Sequence, residues 1–209
     1  MKLTLVTGGA RSGKSSFAQR LASEKAINGQ KAGIVYLATA LVGDEEMQRR
    51  VNLHRQSRPR DWKTIEEPYD LAAAVELIPD NHLLLVDCVT FWITNMLFEY
   101  LGEGKSSFNE RQSCWDTASP SILGQNPLQN QEDALEKYVL EKTELFIKAL
   151  NQRNLTGILV SNEVGWGIVP EHYLGRVFRD LAGRVNQKIA SQATEVYLVA
   201  TGIPLKIKG

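Results

Sequence analysis

Cysteine is almost missing from this chain. The two present, Cys88 and Cys114, make no CxxC pair. That excludes a disulfide framework and a cysteine-built zinc site, and it fits a reducing compartment. An excess of charge of either sign is missing too. Lys and Arg number 24 and Asp and Glu number 24, so no global field argues for nucleic acid or an anionic membrane as partner. No apolar run is clean enough to span a bilayer; the greasiest, "HLLLVDCVTFWITNMLF", carries an Asp and several polar residues and reads as core. The opening "MKLTLVTGGA" is too short an apolar run for a signal peptide. No internal repeat stands out. The expectation is a cytoplasmic, globular protein with residues 1–209 in one domain, neither inserted in a membrane nor bound to nucleic acid.

What remains is ordinary globular composition, 43% hydrophobic and 23% charged over 209 residues. Short β-rich runs alternate with longer helical patterns. "KLTLVTG" predicts a buried strand and Lys14 to Ala26 a helix. "AGIVYLAT" (32–39) predicts a second strand, and 44–57 a helix with Asp44 as its cap. "WKTIEE", "HLLLVDCVT" and "TGILVSN" read as further strands, and "YDLAAAVELI", "FWITNMLFEYL", Glu132–Asn151 and "EHYLGRVFRDLAGRVNQKIASQA" as helices. "EVYLVATGIPLKIKG" reads as two strands meeting at Gly202. Such alternation predicts an α/β fold, a mostly parallel sheet with helices on both faces and an antiparallel C-terminal edge strand. Residues 102–131 break the rhythm; rich in Gly, Ser, Asn, Gln and Pro, they read as a polar surface insertion or loop.

The sharpest motif is Gly8-Gly9-Ala10-Arg11-Ser12-Gly13-Lys14-Ser15, which satisfies G-x-x-x-x-G-K-[ST] between a strand and a helix. Its glycines let backbone N–H groups close on phosphate oxygens, and the helix behind it aims its positive end at the same anion. Lys14 supplies a point charge for the β- and γ-phosphates, and Ser15 a hydroxyl for Mg²⁺. A second Mg²⁺ ligand is expected at the end of a neighbouring strand, where Asp87 stands; the alternative for Asp87 is a helix cap.

A second cluster, "MQRRVNLHRQSRPRDW" (47–62), gathers five arginines around His54. On a helix Arg50, His54 and Arg58 share a face. Spacing alone leaves two readings open: a solvated basic face with a partly buried histidine, or a triphosphate tail held by arginines with His54 as nucleophile. Neighbouring cations would keep the imidazole neutral and stabilise leaving pyrophosphate. No aromatic residue interleaves the arginines before Trp62, which argues against a nucleic-acid platform. His82 and His172 read as structural.

"TGGARSGKS" (7–15), "YLATA" (36–40), "EM…R…HR…RP…W" (46–62), "SNEVGWGIVP" (161–170) and "FRDLAGRVNQ" (178–187) together resemble the bifunctional adenosylcobinamide kinase/adenosylcobinamide-phosphate guanylyltransferase of cobalamin biosynthesis. The likeness covers nearly the whole chain except 102–131. It implies a RecA-like P-loop NTPase fold and two reactions. A nucleoside triphosphate, ATP or GTP, phosphorylates the aminopropanol hydroxyl of adenosylcobinamide. GTP then guanylylates a histidine, and the GMP passes to the phosphorylated product to give adenosylcobinamide-GDP and pyrophosphate. The histidine so implied is His54. Nucleotide contacts are implied at Gly8 to Ser15, at Thr39, Ala40 and Leu41, at Arg55, Gln56, Ser57 and Arg58, at Glu66 and at Asp87. Mg²⁺ and a homotrimer are implied as well. Asn162, Glu163 and Arg179 lie in matching motifs without a derivable role; the glycines of "NEVGWGIVP" point to a substrate-positioning loop at a strand's carboxyl end. Two other readings stand beside this one, a chain that keeps guanylyl transfer only and a non-catalytic nucleotide-sensing module. His54 and its arginines argue against the module, which has no need of a phosphate-accepting imidazole.

Overall fold

The protein is described here from a computed structural model covering residues 2–41, 45–56, 58–102, 128 and 131–209, without the side chains of Glu46, Met47, Arg50, Leu53, His54 and Gln56. Its elements run β1 (Lys2–Gly8), α1 (Lys14–Asn28), β2 (Gly33–Ala38), α2 (Glu45–Gln56), β3 (Lys63–Glu66), α3 (Leu71–Glu76), β4 (His82–Asp87), α4 (Val89–Tyr100), α5 (Glu132–Gln152), β5 (Thr156–Val160), α6 (Tyr173–Gln192), β6 (Glu195–Ala200) and β7 (Ile203–Lys208). The strands form one sheet in the order β3-β2-β4-β5-β1-β6-β7. All neighbours are parallel except β6 and β7, which pair antiparallel as the C-terminal run predicts. The polar segment 102–131 lies outside the described residues apart from Gly102, Leu128 and Gln131, and so does the Asp44 cap.

The strands read as unbroken apolar runs because both faces of the sheet are covered. Successive side chains alternate between those faces. Leu3, Leu5, Leu84, Val86 and Leu159 share a core with residues of α3, α4, α5 and α6. Val6, Leu83, Leu85, Ile158 and Val160 share the other with Ala18, Leu21, Ala22 and Ala26 of α1. In the first core the Trp92 indole meets the Phe146 ring edge-on, centroids 5.8 Å apart. No helix among the described residues is long and apolar enough to cross a membrane.

Two elements depart from the sequence expectation, each for a local reason. The helix expected over "YDLAAAVELI" keeps only Leu71–Glu76. The Tyr69 and Asp70 amides donate to Glu67 Oε1, at 2.8 and 2.9 Å, which holds both in the preceding turn. Asp70 then caps the helix by accepting from the Ala73 amide at 3.0 Å. Beyond its other end, Arg153 donates to the Ile78 carbonyl at 2.9 Å and to Asp80 at 2.7 Å. The helix expected over 44–57 ends at Gln56, so Arg58 falls outside it. Pro59 accounts for this, since the residue before a proline is disfavoured in the α region.

Near the β6–β7 edge Glu195 accepts from Lys25 at 2.5 Å and from Lys206 at 2.9 Å. The Lys25 bond is the main reason its carboxyl falls from the ordinary 4.5 to about 2. A carboxyl lowered on folding adds stability above its unfolded value and loses it as pH falls through the folded one. Glu195→Gln is therefore expected to cost about 1 kcal/mol at pH 7, a partly exposed pair being worth little more. In urea unfolding the gap between the two proteins should close between pH 4.5 and about 2.

Candidate active site

The phosphate loop leaves the sheet at the carboxyl end of β1, and its shape is imposed from both sides. A Cβ on Gly8 would lie 2.4 Å from the Val199 carbonyl oxygen and 2.6 Å from Ser12 Oγ, so no larger residue fits there. Gly13, at φ 90°, supplies the left-handed turn that starts α1. The Glu163 amide donates to the Gly8 carbonyl at 3.0 Å, from beyond β5. The Gly202 amide donates to the Ser12 carbonyl at 2.8 Å, from the β6–β7 turn. These two bonds tie the loop to β5 on one side and to the β6–β7 turn on the other.

Lys14 opens α1 and is 8% exposed, with Nζ donating to the Gly9 carbonyl at 3.0 Å. Burial lowers its pKa, opposed by the neighbouring Cys88 and Asp87. Asp87 ends β4, and Ala38 at the end of β2 pairs with it. Its carboxylate accepts from the Tyr36 hydroxyl at 3.0 Å. Asp87 is not the cap of α4; that position is Cys88, which makes no side-chain cap bond. Burial, then the Asp87 charge, pushes the Tyr36 phenol up, so it stays a hydrogen-bond donor. Burial pushes the Cys88 thiol up to about 11, so it stays protonated.

The Arg58 guanidinium lies over the Tyr36 ring, 3.3 Å from its centroid. Its Nε and Nη1 are buried without a partner among the described residues. Buried guanidinium donors are costly to leave unpaired, so an anionic ligand is their natural acceptor. Arg55 of α2 pairs with Glu66 at the end of β3.

Together these groups enclose a cavity of about 800 Å³. Ala10, Arg11, Ser12, Gly13, Lys14 and Ser15 line one wall, and Ala40, Arg55, Arg58, Glu66 and Asp87 line others. The fold thus collects eleven of the expected contacts from five separate segments of chain. Gly8 and Gly9 do not line the cavity. Thr39 is fully buried, accepting from the Cys88 amide at 3.0 Å and donating to the Cys88 carbonyl at 2.7 Å. It fastens β2 to the start of α4, and neither it nor Leu41 lines the cavity. The side chains of His54 and Gln56, and the whole of Ser57, lie outside the described residues. Position 54 itself is on α2, three residues after Val51 and next to Arg55, both of which line the cavity. The Arg50–His54–Arg58 stripe is not one helical face, because α2 ends before Arg58.

Sequence reasoning gave no site role to Tyr36, Cys88 or Phe91, which line the cavity; Asn162, in the loop it placed at a strand's carboxyl end, lines the cavity too. Tyr36 sat in plain view inside "YLATA", but only the β2–β4 register brings it to Asp87.

A family model described as cobinamide kinase / cobinamide phosphate guanyltransferase matches residues 4–207. The bifunctional adenosylcobalamin biosynthesis protein CobU of Escherichia coli (strain K12) is 39% identical over 207 residues, covering 99% of each chain. Its Salmonella typhimurium (strain LT2) namesake is 39% identical over 208 residues, again 99% of each. The bifunctional adenosylcobalamin biosynthesis protein CobP of Pseudomonas aeruginosa is 36% identical over 206 residues, 98% of this chain and 96% of that one.

Proposed function

The chain belongs to the cobinamide kinase / cobinamide phosphate guanyltransferase family, and from that premise we propose that it runs two transfers in the one cavity. In the first, the aminopropanol hydroxyl of adenosylcobinamide attacks the γ-phosphorus of ATP or GTP, and the nucleoside diphosphate leaves. In the second, a neutral His54 nitrogen attacks the α-phosphorus of GTP and pyrophosphate leaves; a phosphate oxygen of adenosylcobinamide phosphate then displaces the imidazole, giving adenosylcobinamide-GDP. The observation that carries this reading is a single cavity with the phosphate loop on one wall and α2 with Arg55 and Arg58 on the other. The loop amides and Lys14 gather the phosphates, and the unpartnered Arg58 donors suit a pyrophosphate tail.

Ser15 and Asp87 face the same space and supply the oxygen donors that Mg²⁺ takes. No cluster of three His, Cys, Asp or Glu occurs among the described residues. That donor set suits an ion arriving with the nucleotide, whose phosphate oxygens and waters fill most of its shell. When bound, Mg²⁺ would neutralise charge on the phosphates.

Parallel incubations with Mg²⁺, adenosylcobinamide and either γ-labelled or α-labelled GTP test the reading. Both labels should reach corrinoid products, the α-label by way of an acid-labile, alkali-stable protein adduct. Only the α-label arriving would favour a guanylyltransferase alone. Binding with neither transfer would favour a sensing module. Both nucleotides are cytoplasmic metabolites, which is the compartment proposed. A homotrimer is the proposed assembly, supported by Ile203, Leu205 and Ile207, exposed at alternate positions of the edge strand β7. Light scattering checks it.

A further inference from the structure

Asn162 lines the cavity from outside both the phosphate loop and the arginine cluster, and the two transfers described above give it no part. Asn162 follows β5 by two residues, and β5 lies between β1, which feeds the loop, and β4, which ends at Asp87. Val160 pairs with Val6 on one side and with Asp87 on the other. The chain beyond it stays tied to β1, the Ser161 amide donating to Val6 and the Glu163 amide to Gly8, each at 3.0 Å. Asn162 therefore leaves the sheet between the loop and the Asp87 carboxylate, and it lines the cavity there.

Its carboxamide is held from behind. Nδ2 donates to Thr90 Oγ1 at 2.7 Å, and that hydroxyl lies 2.9 Å from Cys88 Sγ. From α6, buried Asn186 donates to the Asn162 carbonyl at 3.3 Å. Nδ2 keeps a second N–H that can still reach a phosphate oxygen, and no described residue donates to Oδ1. Of the surrounding groups the loop amides, Lys14 and Arg58 donate, and the Asp87 carboxylate accepts. An ionised phosphate only accepts, so Oδ1 has nothing to offer it. What meets Oδ1 is a hydrogen-bond donor or a cation, and of the reacting groups the acceptor hydroxyl is the one that carries a proton.

We propose that Asn162 receives the acceptor of phosphoryl transfer: Oδ1 accepts a hydrogen bond from the attacking hydroxyl, with Thr90 as the positioning residue that fixes the carboxamide. This deepens the reading given under Proposed function and rests on it. The hydroxyl oxygen forms its bond to the γ-phosphorus while the bond to the β–γ bridging oxygen breaks. The nucleoside diphosphate departs with that electron pair, and the hydroxyl proton passes to solvent. Asn162 takes no proton; it turns a lone pair of the hydroxyl toward phosphorus.

Initial rates of adenosylcobinamide phosphorylation, equilibrium binding of a non-hydrolysable GTP analogue, and the ratio of GDP released to corrinoid phosphate formed test it together. Asn162→Ala should slow transfer by about 10²-fold, the scale on which small misplacement of a reacting group acts. The analogue should bind within about threefold of wild type, and the GDP ratio should rise as water replaces the unheld acceptor. Thr90→Val should lose about tenfold and Thr90→Ser should restore most of it, because only the hydroxyl is needed. A transfer loss under tenfold, a parallel fall in analogue binding, an unchanged GDP ratio, or Thr90→Ser as poor as Thr90→Val would each overturn the role. If wild type forms no corrinoid phosphate, the kinase reading fails and takes this role with it. An active wild type beside an equally active Asn162→Ala sinks this role alone.

Discussion

Lys14→Ala is expected to phosphorylate adenosylcobinamide about 10³-fold more slowly than the wild type in kcat/KM, a loss of about 4 kcal/mol in transition-state stabilisation. The size follows from the position. Lys14 is one of few described cations enclosed in the cavity, and it is 8% exposed. A charge in such a site is worth far more than one in water. Phosphoryl transfer depends almost entirely on positioning and charge stabilisation, and Arg11, the loop's other cation on the cavity wall, lacks the compact ammonium held at the start of α1. Amides alone would still bind the nucleotide weakly. Lys14→Arg should fail as well, because a planar fork cannot take the place of a compact ammonium packed against its own loop. Stability should change little, since the ammonium's described hydrogen bond is to Gly9 alone. A labelled-nucleotide assay with thermal melts of the same preparations checks this. Near-wild-type transfer by Lys14→Ala would remove the loop from the reaction.

How much of this site could be read beforehand depended on how local each feature is. The phosphate loop was fully legible, because strand, glycines, lysine and helix are contiguous. The parallel sheet was legible from strand runs buried on both faces, and the terminal hairpin from the short link at Gly202. Contacts that need register were not legible. Tyr36 meets Asp87 only because Ala38 pairs with Asp87 across two strands far apart in sequence. Asn162, Thr90 and Asn186 come from three separate elements and meet because β5 threads between β1 and β4. Thr39, which the sequence likeness places against the nucleotide, has its hydroxyl buried on the Cys88 backbone. The α2 stripe failed at Arg58 because helical spacing was extended through a residue that precedes proline.

His54→Ala is expected to form no guanylylated protein, with incorporation of α-label more than about 10³-fold below wild type, since the variant has lost the atom that forms the bond. The surroundings of position 54 suit that role. Gln48, Val51 and Arg55 bring one side of α2 to the cavity, and residue 54 lies beside them on the helix. Arg55 and Arg58 follow at once, and nearby cations disfavour a second positive charge on an imidazole. A neutral nitrogen can then attack phosphorus, and the same cations stabilise pyrophosphate as it leaves. The two variants should separate the two reactions. Lys14→Ala should strike both, because the proposed reading has the loop hold the nucleotide in each transfer. His54→Ala should strike guanylyl transfer while leaving γ-label transfer far less affected, because the attack proposed for the histidine is on α-phosphorus. Equal labelling of His54→Ala and wild type would move the nucleophile elsewhere, and an equal fall in both transfers would make position 54 a binding residue.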